Sequence, residues 1–330
     1  MRTARRHLLL WPLALSIMAL ATPPAGAAGP PLPSGYSGRQ GVAPPGGGER
    51  IVARRAGNDT LLIARGRSHR LAGRWSIAPV TVSGATTGLS ADGRTLVLVR
   101  PQRDFPPAFT HLAIVDARSF ALRRTIDLNG FFTLDAVAPD GRSAFLLQYP
   151  TQDFLDYRVR ALDTATGAFA AHDIVDPRAP DEQMGGLPMT RAAGPGGRWV
   201  YTLYSGGTET FIHALDTVGA TAACIDLEML PADGDLSRVK LLPNADGSRL
   251  RVRDAGHLVA IVDTRTFAVR EPGEPAAPEP AATPASTPPA PAPERADVDG
   301  AGLLLPLAVG GGLLVLAAAA LAVRRRGVPG

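Results

Sequence analysis

The chain has 330 residues and a formal net charge of +4, from 34 basic and 30 acidic residues. Six of the arginines lie in residues 1–27 and 324–330, which contain no acidic residue, so the sequence between them is slightly acidic and shows no basic cluster. Because nucleic-acid binding needs clustered basic residues, no nucleic-acid partner is predicted. The single cysteine, Cys224, excludes an internal disulfide and a zinc site of several cysteines. No cofactor and no metal site are predicted.

The first 27 residues predict a signal peptide. Arg2, Arg5 and Arg6 precede an apolar run over residues 8–21, and the small residues 25–27 form a cleavage site. The paired arginines also approach a twin-arginine signal. Both export routes therefore stay open, with general secretion favoured.

A membrane helix is predicted over residues 301–323. These 23 residues carry no charge, and at about 1.5 Å per residue they exceed the ~30 Å thickness of the hydrocarbon core. Three arginines follow directly, and the positive-inside tendency places the basic tail 324–330 in the cytoplasm. The sequence therefore predicts a single-pass protein of the cytoplasmic membrane whose N-terminal domain is extracytoplasmic.

Two further segments have the composition of linkers. Residues 28–49 are rich in Gly and Pro and are expected to be flexible. Residues 271–300 are rich in Pro and Ala, with no apolar period, and are expected to form an extended stalk. This leaves residues 50–270 as the folded domain.

Two sequence elements recur within that domain. The first is a Gly-containing turn before an apolar strand, and its glycines, 48, 56 and 50 residues apart, are Gly93, Gly141, Gly197 and Gly247. The second is an apolar strand that ends in aspartate, and these aspartates, 47, 53 and 47 residues apart, are Asp116, Asp163, Asp216 and Asp263. Because two independent elements share one period, the sequence predicts a repeated structural unit.

Each repeat provides four short strands, and its Asp-Gly turns favour tight hairpins. Repeated four-stranded units are typical of propeller blades, whose radial arrangement protects their sheet edges. Four units are clear, and residues 50–82 would supply a degenerate fifth. The predicted fold is therefore all-β, a β-propeller of about five four-stranded blades whose ring is closed, irregular or open.

Residues 90–97 (Ser-Ala-Asp-Gly-Arg-Thr-Leu-Val), followed by Ile114-Val115-Asp116, resemble the YVTN/YncE-type propeller repeat. In that family a Ser-Pro-Asp-Gly turn and its strand are followed by a Val-Ile-Asp-Thr strand. The resemblance covers residues 86–269 and implies a propeller, although members of the family usually carry seven shorter blades. The family includes binding proteins and lactonase-like enzymes, so the resemblance implies a fold more than a function.

The repeated aspartates have two interpretations. They could serve a metal site or acid–base chemistry, or each could cap the hairpin between the third and fourth strands of its unit. Capping is favoured, because copies related by the repeat lie far apart around a ring.

A binding surface is predicted in the loops between second and third strands and in the connections between blades, which share one face. Residues 101–105 and 150–154 share the pattern Pro-x-x-Asp-Phe, which is more than a turn requires. The candidate binding residues are Asp104, Phe105, Asp153, Phe154, Tyr157, Glu209, Asp181 and Glu182. In the alternative interpretation, Phe105 and Phe154 fold back to cover the blade edges. No catalytic residue is predicted.

The usual catalytic sequence signatures are missing, which favours a non-catalytic binding or scaffolding propeller with a protein or glycan ligand at the cell surface. One alternative is a lactonase-like or glycan-directed hydrolase, which requires Asp104, Asp153 and Glu182 to converge. Another is a purely structural component of the envelope.

Overall fold

The computed structural model describes residues 41–151, 157–181, 185–206 and 209–274. These residues form antiparallel strands with two short 3-10 helices, Pro195–Gly197 and Leu236–Arg238. No helix among the described residues is long and apolar enough to cross a membrane. The predicted signal peptide, the membrane helix and the stalk from residue 275 onward lie outside these ranges. The all-β prediction is confirmed for the described domain.

The strands follow one another in simple meanders. In chain order they are β1 (Val52–Ala56), β2 (Asp59–Ala64), β3 (Arg67–Leu71), β4 (Ala78–Pro79), β5 (Thr86–Thr87), β6 (Thr95–Val99), β7 (Phe109–Asp116), β8 (Leu122–Asn129), β9 (Phe131–Val137), β10 (Ser143–Tyr149), β11 (Arg158–Asp163), β12 (Leu187–Ala193), β13 (Trp199–Ser205), β14 (Thr210–Asp216), β15 (Thr221–Asp226), β16 (Val239–Pro243), β17 (Arg249–Asp254), β18 (His257–Asp263) and β19 (Val269–Arg270).

These strands form five main sheets, each ordered as in the sequence. The first sheet is β1–β3, the second β6–β8, the third β9–β11, the fourth β12–β15 and the fifth β16–β19. The small β4–β5 hairpin precedes the second sheet in the chain. Leu89, just after this hairpin, forms an antiparallel bridge with Leu96 of β6 and so extends the second sheet on its inner side.

The folded part begins before the predicted boundary at residue 50. Val42 is buried and forms an antiparallel bridge with Ile51. Gly41 has a φ of +57°, and a Cβ there would lie 2.5 Å from the Ile51 carbonyl oxygen, so only glycine fits. Val42 therefore holds part of residues 28–49 against the folded domain, although the Gly and Pro content of this segment predicted that it is flexible.

The repeated aspartates cap turns, as predicted. Asp163 Oδ1 accepts hydrogen bonds from the backbone N–H groups of Ala165 (2.9 Å) and Thr166 (2.6 Å). Corresponding bonds occur at the other three aspartates, Asp116, Asp216 and Asp263. The next residue, Thr164, donates its hydroxyl to the Gly141 carbonyl at 2.7 Å, so the two recurring turns of a unit are bonded to each other.

Four apolar cores hold the sheets together, and each lies between consecutive sheets. The first core lies between the first and second sheets and includes Leu62 and Leu98. The second core lies between the second sheet, through β6, and the third sheet. The third joins Phe145 to the fourth sheet, and the fourth joins Leu203 to the fifth. The face-to-face stacking of similar hairpin units is propeller-like.

The sheets do not close into a ring. Among the described residues, no apolar cluster joins the fifth sheet to the first. Burial along the strands agrees, because every residue of β6 is buried, whereas in β17 Arg249 and Arg251 are exposed and alternate with buried Leu250 and Val252. The blade count of a complete propeller stays a prediction.

The turn caps give a direct stability test. Replacing Asp263 with Ala removes the acceptor for the Arg265 and Thr266 N–H groups and should cost about 1 kcal/mol in the free energy of unfolding. The Thr266 N–H bond chiefly holds the pKa of the Asp263 carboxyl below its usual value, so this stabilisation is present above about pH 4 and is lost as the pH falls further.

Urea unfolding of the Asp263→Ala protein at pH 7 and pH 3 measures both effects. The matched control is Glu228→Ala, which removes an exposed carboxylate. An equal cost for the two variants at pH 7 would contradict the capping role.

Candidate functional site

The loops predicted to form a binding face lie at one end of the stack. Consecutive hairpins of an antiparallel meander lie at alternate ends, so the β6–β7, β10–β11 and β13–β14 loops lie opposite the capped turns of their sheets, and the connection from the third sheet to the fourth lies at the same end as these loops. Asp104, Glu209 and Asp181 are at this end, and all three are exposed. Asp153, Phe154 and Glu182 lie outside the described residues. We call this end the loop face.

Phe105 combines the two predicted roles of its loop. Its side chain is 46% exposed, yet its ring meets Phe131 of the third sheet edge to face, with centroids 5.4 Å apart. The loop is also tied back, because Gln102 Nε2 donates a hydrogen bond to the Phe109 carbonyl at 2.5 Å. Phe105 therefore covers the edge of the neighbouring sheet and still presents part of its ring to solvent.

Behind Phe105, aromatic rings continue across two sheets. Phe131 stacks on Tyr149 at 5.1 Å, Tyr149 lies 6.0 Å from Tyr157, and Tyr157 lies 5.7 Å from Tyr204. These separations fall within the range in which aromatic pairs are favourable. We call the set the aromatic row: Phe105, Phe131, Tyr149, Tyr157, Tyr204 and Phe211, which stacks on Tyr204 at 5.4 Å. The row connects the loop face to the core between the third and fourth sheets.

Tyr157 belongs to the interior part of the row. It is only 4% exposed and packs in the core between the third and fourth sheets, so it supports the surface and is not part of it. Burial raises the pKa of its hydroxyl well above the usual value, as it also does for Tyr204. Tyr149 and Tyr204, at or near the ends of β10 and β13, were not predicted.

A buried ion pair lies beside the row. Asp135 on β9 and Arg191 on β12 approach to 2.7 Å, and their side chains are only 4% and 8% exposed. The pair joins the inner strands of the third and fourth sheets. Sequence reasoning missed it, although an aspartate within the apolar strand Phe-Phe-Thr-Leu-Asp-Ala-Val was a visible signal.

Two cavities lie next to this pair. One, of about 20 Å³, is lined by Asp135, Tyr149 and residues of the β4 region. The other, of about 150 Å³, is lined by Arg191, Thr86 and Gly197. The turn after β4 lies against β12, because the Val82 N–H donates to the Pro188 carbonyl at 2.9 Å. The β4 region therefore covers part of the interior beside β12.

His213 is a further buried titratable group. Its Nε2 has no hydrogen-bond partner among the described residues, and its ring lies 6.4 Å from that of Tyr204. Burial lowers the pKa of His213, and this effect outweighs the opposing effect of Asp135, which raises it, while Arg191 also lowers it. The histidine is therefore held neutral in the folded protein.

The described residues contain no group of three or more His, Cys, Asp or Glu side chains that could hold a metal ion. Asp135 does not act together with the exposed carboxylates of the loop face, because it is buried and ion-paired with Arg191. What the arrangement offers chemically is a partly exposed aromatic ring on a rigid aromatic support, flanked by exposed carboxylates.

No protein-family model and no curated protein matches the chain. Among solved structures, it is similar to Kuenenia stuttgartiensis hydrazine synthase, with 12% identity, coverage of 73% of this chain and 67% of that one, and a TM-score of 0.44. It is similar to an oligogalacturonate lyase in complex with manganese, with 12% identity, coverage of 70% and 63%, and a TM-score of 0.44.

A third similar structure is the β-propeller domain of Cps50 (Swd1) from Myceliophthora thermophila, with 13% identity, coverage of 67% and 57%, and a TM-score of 0.34. At these identities and TM-scores the similarities say nothing about a ligand or an activity of this chain. The description of its site rests on its own residues.

The buried histidine predicts a pH-dependent stability. Unfolded His213 has a pKa of about 6.5, and the folded value is lower, so the unfolded state takes up the proton first as the pH falls. The contribution of His213 is present above about pH 6.5 and is lost below it, at up to about 1.4 kcal/mol per pH unit.

Replacing His213 with Gln should reduce the loss of unfolding free energy between pH 7 and pH 5, measured by urea titration. The control is His257→Gln, at an exposed position. A parent-like pH slope in the His213→Gln protein would contradict the neutral, buried state.

Proposed function

We propose that this chain is a non-catalytic binding or scaffolding protein whose ligand contacts the loop face at the aromatic row. The observation that carries the proposal is the state of Phe105, which is 46% exposed while its ring is held edge-on against Phe131. A large aromatic side chain that is ordered before binding loses little conformational entropy when a ligand covers it. Such residues are common anchors of binding interfaces.

The support behind Phe105 strengthens this proposal. Phe131, Tyr149 and Tyr157 form consecutive ring contacts, and Phe131 and Tyr157 are buried. The exposed carboxylates of Asp104, Asp181 and Glu209 provide a polar surround at the same end of the stack. A central aromatic anchor with a polar rim is the usual composition of a protein interface.

The hydrolase alternative has less support. It needs Asp104, Asp153 and Glu182 in one pocket, and only Asp104 lies within the described residues. The three buried carboxylates among the described residues, Asp135, Asp176 and Asp216, are each ion-paired with an arginine. No observation on the described residues favours a catalytic arrangement over a binding surface.

The proposal includes a location. The predicted signal peptide and the apolar segment 301–323 support a domain that is exported and held outside the cytoplasmic membrane by a stalk of residues 271–300. The stacked hairpin sheets support an open or incomplete β-propeller as the displayed domain. Its ligand would then be a protein or glycan at the cell surface.

The test is a binding screen of the purified full chain against cell-surface glycans and envelope proteins, followed by comparison of two variants. Phe105→Ala should raise the dissociation constant of a recovered ligand by roughly 10- to 100-fold, the usual effect of truncating an aromatic anchor. Because the ring is half exposed, thermal stability should change little.

The matched control is Phe109→Ala, which removes an equally exposed ring (51%) that is outside the aromatic row. An unchanged dissociation constant for Phe105→Ala would place the ligand elsewhere, and equal losses for the two variants would contradict the special role of the aromatic row. Failure to recover any specific ligand with the folded parent protein would contradict the proposed function itself.

A further inference from the structure

The outward face of the fifth sheet gathers basic side chains that the sequence keeps apart. Lys240 on β16 lies directly opposite Arg253 on β17, and Leu242 lies opposite Arg251. Arg251 in turn lies opposite Ile261 on β18, which lies opposite Arg270 on β19. Alternation along each strand puts these side chains on the face opposite the buried Leu250 and Val252. We call the six residues the basic face: Lys240, Leu242, Arg251, Arg253, Ile261 and Arg270.

The acidic side chain on this side of the sheet, Asp263 opposite Arg249, is engaged in capping the Arg265–Thr266 turn. Lys240, Arg251 and Arg270 take part in none of the ion pairs among the described residues. Like charges directly opposite each other destabilise a sheet, and the pairing of Lys240 with Arg253 carries that cost. Leu242, beside this pair and opposite Arg251, is 38% exposed, so the surface is both basic and partly apolar.

The acidic residues that follow β19 do not neutralise this face within the described structure. Glu271 and Glu274 line a separate concavity with Asp226 and Glu228. The charge on the basic face is therefore available to an external partner. Flat basic surfaces with interspersed aliphatic side chains suit an anionic membrane, where each Lys or Arg contributes favourably and apolar side chains enter the interface.

We propose that the basic face docks the domain onto the anionic phospholipid headgroups of the membrane in which the chain is anchored. The chain leaves the fifth sheet at Arg270, and the predicted membrane span begins at residue 301. A Pro-rich segment of 30 residues reaches at most on the order of 90 Å, so the basic face stays within reach of the bilayer. Tethering also keeps its effective concentration near the lipid high. The inference rests on the proposed membrane tether.

Docking can be measured by the emission wavelength of an environment-sensitive fluorophore attached to the basic face. The label is placed at Leu242→Cys in a Cys224→Ser background, and the full chain is reconstituted into phosphatidylcholine vesicles with or without phosphatidylglycerol. Phosphatidylglycerol should shift the emission to the blue, and high salt should reverse the shift. Lys240→Gln/Arg251→Gln should lower the ratio of docked to undocked protein by roughly 30-fold.

The matched control is Arg54→Gln/Arg70→Gln, which removes the same charge from the outward face of the first sheet. A similar loss in that control, or emission independent of phosphatidylglycerol, would overturn the proposal. Blue-shifted emission that needs no lipid charge would show instead that the acidic stalk of the chain covers the face, and would also overturn it.

Release of the protein from the vesicles by an alkaline wash tests the membrane anchor separately. Protein that is released by the wash contradicts the membrane anchor alone. In that case the same labelled protein, added to vesicles from solution, still decides whether the basic face binds anionic lipid.

Discussion

A three- or four-stranded sheet cannot bury its apolar side chains by itself, and this constraint determines the rest of the structure. Each sheet of this protein covers its neighbours, so the second, third and fourth sheets are buried on both faces. Every residue of β6 is buried, as are Val200 to Tyr204 in β13. Among the residues that the structure describes, the first and fifth sheets each pack against one neighbouring sheet, and their outer faces contain Arg54 and Arg251 among aliphatic side chains.

Much of this fold could be predicted from the sequence. The spacing of Gly93, Gly141 and the repeated aspartates indicated the units, because tight turns need Gly and Asp at fixed positions. The sequence also contains a signal for the open end. Basic and apolar residues alternate in Arg249-Leu250-Arg251-Val252-Arg253, as in a strand with one exposed face, whereas Thr95-Leu96-Val97-Leu98-Val99 shows no such alternation. The boundary near Val42 was missed because a single apolar residue within a Gly- and Pro-rich segment gives no periodic signal.

The site was less predictable, because it depends on contacts between repeats. The sequence indicated Phe105 through the shared Pro-x-x-Asp-Phe pattern, but not that its ring would rest on Phe131. Tyr149 and Tyr157 meet within the third sheet, next to the paired Gln148 and Arg158, whereas Tyr204 meets Tyr157 only when the third and fourth sheets stack. The ion pair of Asp135 and Arg191 also needs stacking, because its residues are 56 apart in sequence, a full repeat. Stacking therefore creates the contacts of the aromatic row that cross between sheets, and its polar neighbour.

The open stack is tested most directly at one position shared by two repeats. Val97 follows Gly93 by four residues, as Arg251 follows Gly247, but Val97 is 0% exposed and Arg251 lies on an open face. Urea unfolding should show that Val97→Arg costs more than about 3 kcal/mol, because it buries an unpaired charge, whereas Arg251→Val changes stability by less than about 0.5 kcal/mol. If Val97→Arg were tolerated, or if Arg251→Val were as damaging, the middle and end sheets would not differ as described.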